Sequence, residues 1–222
     1  MKTRVPVSQS IWFLPLLLLS TLALAASYKA RPWTPRAMDS YPAKLTSEGI
    51  TVAVDPLCTD ALARQVFDKN DILTRGIMPL AVIVFNSNDF AVEVEGASCE
   101  LNLRDDHVHP MAPDQAAQRV YQQKMQERPS RIPGGTPRLK LTSAPAEAVQ
   151  DFKNKYFGIK RIGPKSTAGG FLFFPVPEEM DMRSYLADRR VYIPEISRVD
   201  TGASMIYFEI DLKPAIDALP KK

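Results

Sequence analysis

Asp105-Asp106-His107-Val108-His109-Pro110 is the segment of this 222-residue chain whose residue types and spacing could do chemistry. Two histidines one residue apart on a strand project to the same side, which is how a zinc hydrolase presents paired imidazoles, and Asp105 or Asp106 could add a carboxylate. His107 and His109 are the only histidines in the sequence, so a catalytic zinc would draw its other ligands from carboxylates. The same letters also read as a turn, in which Asp-Asp closes the run LNLR and residues 107–110 begin a returning strand at a solvated edge. The turn explains the segment with fewer assumptions. No catalytic, cofactor-binding or metal residue is therefore assigned, no cofactor is expected, and Asp105, Asp106, His107 and His109 stand as the alternative metal set.

Other routes to chemistry are thinner. There is no Gly-x-Ser-x-Gly elbow, and a serine or cysteine nucleophile would have to recruit one of the two histidines beside the turn. GPKSTAGG lacks the spacing of a phosphate-binding loop and precedes a strand where a helix is needed. Phe171, Phe173, Phe174, Tyr207 and Phe208 follow a strand alternation that suits core packing, with one aromatic left exposed. Arg189-Arg190 and Lys221-Lys222 are too small for a nucleic-acid surface and read as solvated charge. Cys58 and Cys99 are the only cysteines. An even pair in an exported chain points to one disulfide, closing a loop of about 40 residues and worth about 4 kcal/mol; the alternative is two quiet core thiols.

Export is suggested by the N-terminus. Lys2 and Arg4 precede a 16-residue apolar run, residues 11–26, that Pro15 interrupts, and Ala23-Leu24-Ala25 supplies small residues at the cleavage positions. Residues 1–25 are expected to be a secretory signal peptide, with an uncleaved membrane anchor as the alternative. Without Lys2 and Arg4, 26 basic residues face 25 acidic ones. That balance gives no footprint for nucleic acid, and no integral membrane span is expected in the mature form.

The elements that must position the Asp-Asp-His-Val-His segment are mostly strands. Residues 26–48 are polar and carry Pro32, Pro35 and Pro42, so an extended linker is expected there. ITVAV and PLAVIVF (residues 79–85) are short β-branched runs, the second ended by the turn cluster Asn86-Ser87-Asn88-Asp89. Val92 and Val94, then Cys99, Leu101 and Leu103, alternate with polar residues and predict half-buried antiparallel strands. Helical stripes occupy residues 114–127 and 143–156, joined by the Pro- and Gly-rich segment RPSRIPGGTPR. FLFFPVP, RVYIPEI and SMIYFEIDL complete the strand set.

In order, GIMPLAVIVFNSND, AVEVEGASCELNLRDD, IGPKSTAGGFLFFPVPEE and ASMIYFEIDL resemble bacterial exported immunoglobulin-like domains of unknown function. The resemblance covers roughly residues 49–212 and departs from a minimal sandwich at the helical segment. It implies a mainly β, immunoglobulin-like antiparallel sandwich over residues 49–213, a helical insertion at about 112–157 and a C-terminal tail at 214–222. The expected function is a non-catalytic secreted or periplasmic interaction module that meets a protein partner at the bacterial envelope. Its candidate contact surface is the loop at 128–138. A metal-dependent hydrolase using His107 and His109, or a periplasmic chaperone binding extended client strands, are the alternatives.

Overall fold

Two apolar runs, residues 50–54 and 80–84, are buried on both faces of the sheet they form, which is why they read as continuous rather than alternating hydrophobics. They belong to a computed structural model that describes residues 28–69, 71–122, 143–178 and 180–219. The expected signal peptide and the loop at 128–138 lie outside the described residues. Within them the chain is mainly β, with ten strands in two antiparallel sheets and five short α-helices, a sandwich-like arrangement.

The first sheet has the order β1 (Ala43–Ser47), β2 (Ile50–Pro56), β3 (Ile77–Asn86) and β8 (Ser166–Pro175). In the second, β9 (Arg190–Arg198) pairs with β10 (Ser204–Asp211) on one side. On the other side it pairs with β4 (Val92–Glu95) and β5 (Glu100–Leu103), which follow one another along it. Outside these, β7 (Ile159–Ile162) pairs with β4 and β6 (Asp106–Val108) pairs with β5. Gly96 lies between β4 and β5, where a Cβ would sit 1.7 Å from the Phe157 carbonyl oxygen. Only glycine admits that approach.

Register sorts the first sheet's two faces. Leu80 pairs with Leu172 and Met78 with Phe174, while Pro79 pairs with Phe173 and Ala81 with Phe171. Phe171 and Phe173 turn toward a helical layer built from α1 (Asp60–Val66), α2 (Pro113–Tyr121) and α3 (Ala146–Lys155). Phe67 just after α1 and Phe152 on α3 meet at 4.8 Å between ring centroids, and Phe152 stacks on Phe173 at 5.0 Å. The helices thus cover the face of the first sheet that the second sheet does not. The second sheet alternates as expected: Val92, Val94, Phe208 and Ile210 point in, whereas Tyr207 is 61% exposed.

Two stretches differ from expectation. Residues 43–47, inside the expected linker, form β1, and the chain before it is strapped over the helical layer. Trp33 packs edge-on against Phe171 at 4.6 Å, Arg36 Nη2 meets Asp55 Oδ2 at 2.7 Å, and the Tyr28 hydroxyl donates to Asp151. Proline-rich, aperiodic sequence predicts the extended backbone but not the surface it lies on. α5 (Lys213–Asp217) opens the stretch expected to be a tail, and Ala215 and Ile216 bury against the core. No helix among the described residues is long and apolar enough to cross a membrane.

Candidate functional site

The segment that could do chemistry forms a hairpin. Arg104 and Asp105 make its turn, with Arg104 at φ 51°, and Leu103 pairs with Asp106, Asn102 with His107 and Leu101 with Val108. Strand parity then divides the candidate residues between two faces. His107 shares the solvent-facing side with Asn102 and Glu100, while Asp106 shares the inner side with Leu103. His107 Nδ1 lies 2.9 Å from Glu100 Oε2, and His109 Nε2 lies 3.9 Å from Glu100 Oε1. The His107 hydrogen bond holds the Glu100 carboxyl below its ordinary value.

The alternative metal set is therefore not assembled. Asp105 sits in the turn, Asp106 pairs with Arg189, and the two imidazoles share one carboxylate from a neighbouring strand. Among the described residues no group of three or more His, Cys, Asp and Glu is arranged to hold a metal ion. Cys58 and Cys99, the pair expected to form a disulfide, are free, buried thiols in this structure. Cys58, two residues past β2, has Asp55, Asp181 and Arg183 as charged neighbours, whereas Cys99, before β5, has Glu95 and Glu100. The two environments share no charged residue. Burial pushes the Cys58 thiol up to about 11 and the Cys99 thiol up to about 12, so both stay protonated.

Behind the hairpin's inner face lies an open cleft of about 700 Å³. Leu103 and Val108 line it from the hairpin, Pro175, Val176 and Pro177 from the end of β8 and just past it, and Met180 lines it as well. Ser184 and Tyr185 come from α4 (Met182–Leu186), whose N-cap Asp181 accepts from the Ser184 amide at 3.1 Å and whose Met182 and Leu186 are buried. These short elements hold the walls in place because each end is tied to a sheet or capped.

Arg189 lines the same cleft, and its side chain is only 5% exposed. Its backbone is fixed at both ends, the amide donating to Leu186 at 3.0 Å and the carbonyl accepting from Leu212 at 3.1 Å. The guanidinium carbon lies 4.1 Å from the Tyr185 ring centroid, and Nη2 donates to Asp106 Oδ2 at 2.6 Å. Nε and Nη1 are buried without a partner. Burial raises the Tyr185 phenol above its ordinary value, and Arg189 opposes that shift.

Arg189 is the residue that sequence reasoning missed, because Arg189-Arg190 was expected to be solvated charge. The signal was parity: Val191 and Ile193 are buried, so a residue two positions before Val191 faces the same way, while Arg190 and Tyr192 face out. Arg190 accordingly reaches Glu209 at 3.1 Å on the exposed face. No protein-family model, curated protein or solved structure matches this chain.

Proposed function

We propose that this protein is a non-catalytic interaction module, exported to the bacterial envelope, that engages a protein partner at the Arg189 cleft. The observation that carries this reading is the cleft itself: apolar walls around a buried guanidinium with two unanswered nitrogen donors, Nε and Nη1. Native interiors pair such donors almost without exception, and an unpaired one costs about 1–3 kcal/mol. Each exception calls for an explanation, and an acceptor brought by a bound partner is the one this reading supplies.

Export rests on the leader-like residues 1–25, and secreted or periplasmic localisation follows from it. Kinship with exported immunoglobulin-like sandwiches is part of the same reading. It is supported by two facing antiparallel sheets, with β4, β5 and β9 in one and β3 and β8 in the other. The run β1, β2, β3 in one sheet departs from that plan, and the helical layer over it adds to it. Fold kinship alone would leave the function open.

Fractionation combined with in-cell photocrosslinking tests the reading. A benzophenone amino acid in place of Ser184, at the cleft, should give a discrete adduct from the envelope fraction. The same group in place of Thr201, in the exposed β9–β10 turn, should not. Retention of the protein in the cytoplasm, or equal adducts from both positions, would reject it.

A further inference from the structure

We propose that the cleft receives a carboxylate borne on an apolar body, from an acidic side chain or a chain end of the partner, and that this carboxylate displaces Asp106 from Arg189. The inference rests on the cleft being the partner site, and it names the chemistry recognised there.

The geometry of the guanidinium supports exchange. Nε–H and one Nη2–H lie along the same edge of an arginine, the edge that a carboxylate grips with two oxygens. Asp106 meets the guanidinium through Nη2 alone, at 2.6 Å, and Nε has no acceptor. An incoming carboxylate that spans the edge makes two bonds where the resident one makes one. The Asp106 side chain is 57% exposed, so once released its charge returns to water at small cost. Arg189 stays where it is, held by its backbone bonds and by the face of Tyr185.

The surroundings select the rest of the ligand. Val108, Val176, Pro177 and Met180 line the approach, and they reward an apolar group next to the acid. Met180, partly exposed and unbranched, is the adjustable part of the lining. A phosphate dianion fits less well, because among the described residues Arg189 is the only cation lining the cleft and Asp106 already stands beside it. A neutral amide offers an acceptor but no charge to replace that of Asp106.

Calorimetric titration of the mature protein with three short peptides tests this: one ending in a free leucine carboxylate, the same peptide amidated, and an amidated peptide with an internal Glu-Leu pair. One of the two acidic peptides should bind, and which one identifies the source as chain end or side chain. The peptide lacking any carboxylate should bind about tenfold or more weakly. Arg189→Met should lose the acidic peptide by about tenfold or more while its unfolding midpoint stays level or rises, since two unpaired donors leave the core. Asp106→Asn, on the exposed rim, should tighten binding several-fold by removing the competitor. Equal binding of the peptide lacking a carboxylate, no binding of any peptide, unchanged affinity in Arg189→Met, or weaker affinity in Asp106→Asn would each overturn the proposal. If the Ser184 crosslink survives in Arg189→Met, the cleft is the partner site but carboxylate recognition is refuted. If the wild-type protein gives no crosslink, the reading beneath it fails.

Discussion

Replacing Asn86 by alanine should separate the sheets' anchorage from the cleft's chemistry. Asn86 is buried at the end of β3, where the chain leaves one sheet for the other. Its Nδ2 donates to the Phe90 carbonyl at 2.7 Å and to the Gly163 carbonyl at 2.9 Å, with Ile162 O at 3.3 Å, and its Oδ1 accepts from the Asn88 amide at 3.0 Å. One amide thus ties β3 to the start of β4 and to the β7–β8 turn. Three well-formed bonds at about 1 kcal/mol each set the scale, and groups near the surface regain some water, so the expected loss is about 2–3 kcal/mol. That is a large part of a typical domain's 5–15 kcal/mol, on the order of a third. Asn86→Asp keeps the shape and the Asn88 bond but turns a carboxylate toward carbonyl oxygens. Its native pKa is raised, so its deficit is smallest below the ordinary carboxylate range and grows as pH rises. Urea unfolding followed by Trp33 fluorescence reads both variants. Register places Asn86 opposite Ser166, at the other end of β3 from Ile77 and Pro175, about 30 Å from the cleft at strand rise. Peptide binding by Asn86→Ala should therefore match the wild type under native conditions. A loss below about 0.5 kcal/mol, or a pH-independent deficit in Asn86→Asp, would refute the reasoning.

Three further outcomes are expected. Lys155→Met leaves the Asp151 carboxylate buried without its 2.6 Å partner and should cost about 3–5 kcal/mol, whereas a double variant that also carries Asp151→Leu should recover much of it; equal losses in single and double variants would contradict a paired site. Cys58 and Cys99 should resist alkylation in the folded protein and react on unfolding. Their raised thiol values mean that their stabilising contribution is complete below the ordinary 9.0 and is lost as pH rises through about 11 and about 12. Replacing both by alanine should flatten the alkaline fall in the unfolding midpoint, and an unchanged fall would count against the assignment. Glu100, held low by His107, contributes stability above the ordinary carboxylate range and loses it as pH falls through its lowered value. In His107→Ala the Glu100 titration followed by NMR should move up, and a fixed titration would exclude the pairing.

Much of the strand set was legible because period and burial agree. Residues 79–85 read as a buried strand since both faces of the first sheet are covered, and Val92 and Val94 alternated because one face of the second sheet meets water. The Asn-rich cluster at 86–89 was recognised as a turn. Local chemistry suggests a turn but does not show that Asn86 would bond carbonyls more than 70 residues away. The strap of residues 28–37 was opaque for the same reason: proline and charge predict an extended backbone, while the seat of Trp33 on Phe171 exists only after β8 and α3 have come together. The cleft was hidden more deeply. Its walls come from three separated segments, and its charge belongs to the inward member of an Arg-Arg pair whose outward member behaves as surface charge should.

The fold answers two buried cations, Arg189 and Lys155, differently. Lys155 is buried to a similar degree, and the fold answers it: its ammonium donates to Asp151 at 2.6 Å and to the Val66 carbonyl at 2.8 Å, and it lies 5.0 Å from the Phe67 ring centroid. Arg189 receives the analogous aromatic face from Tyr185 and one carboxylate, but that carboxylate stands on the exposed rim and two donors go unanswered. The same chain therefore satisfies one buried cation and leaves the other short. A leucine or methionine at position 189 would fill the volume without stranding a donor, as replacement of buried ion pairs by apolar residues shows in general. An arginine there carries a stability cost, and sites shaped by function commonly bear one. Direct comparison of Arg189→Met with Lys155→Met should expose the difference: the first keeps or gains stability and loses carboxylate binding, and the second loses stability alone.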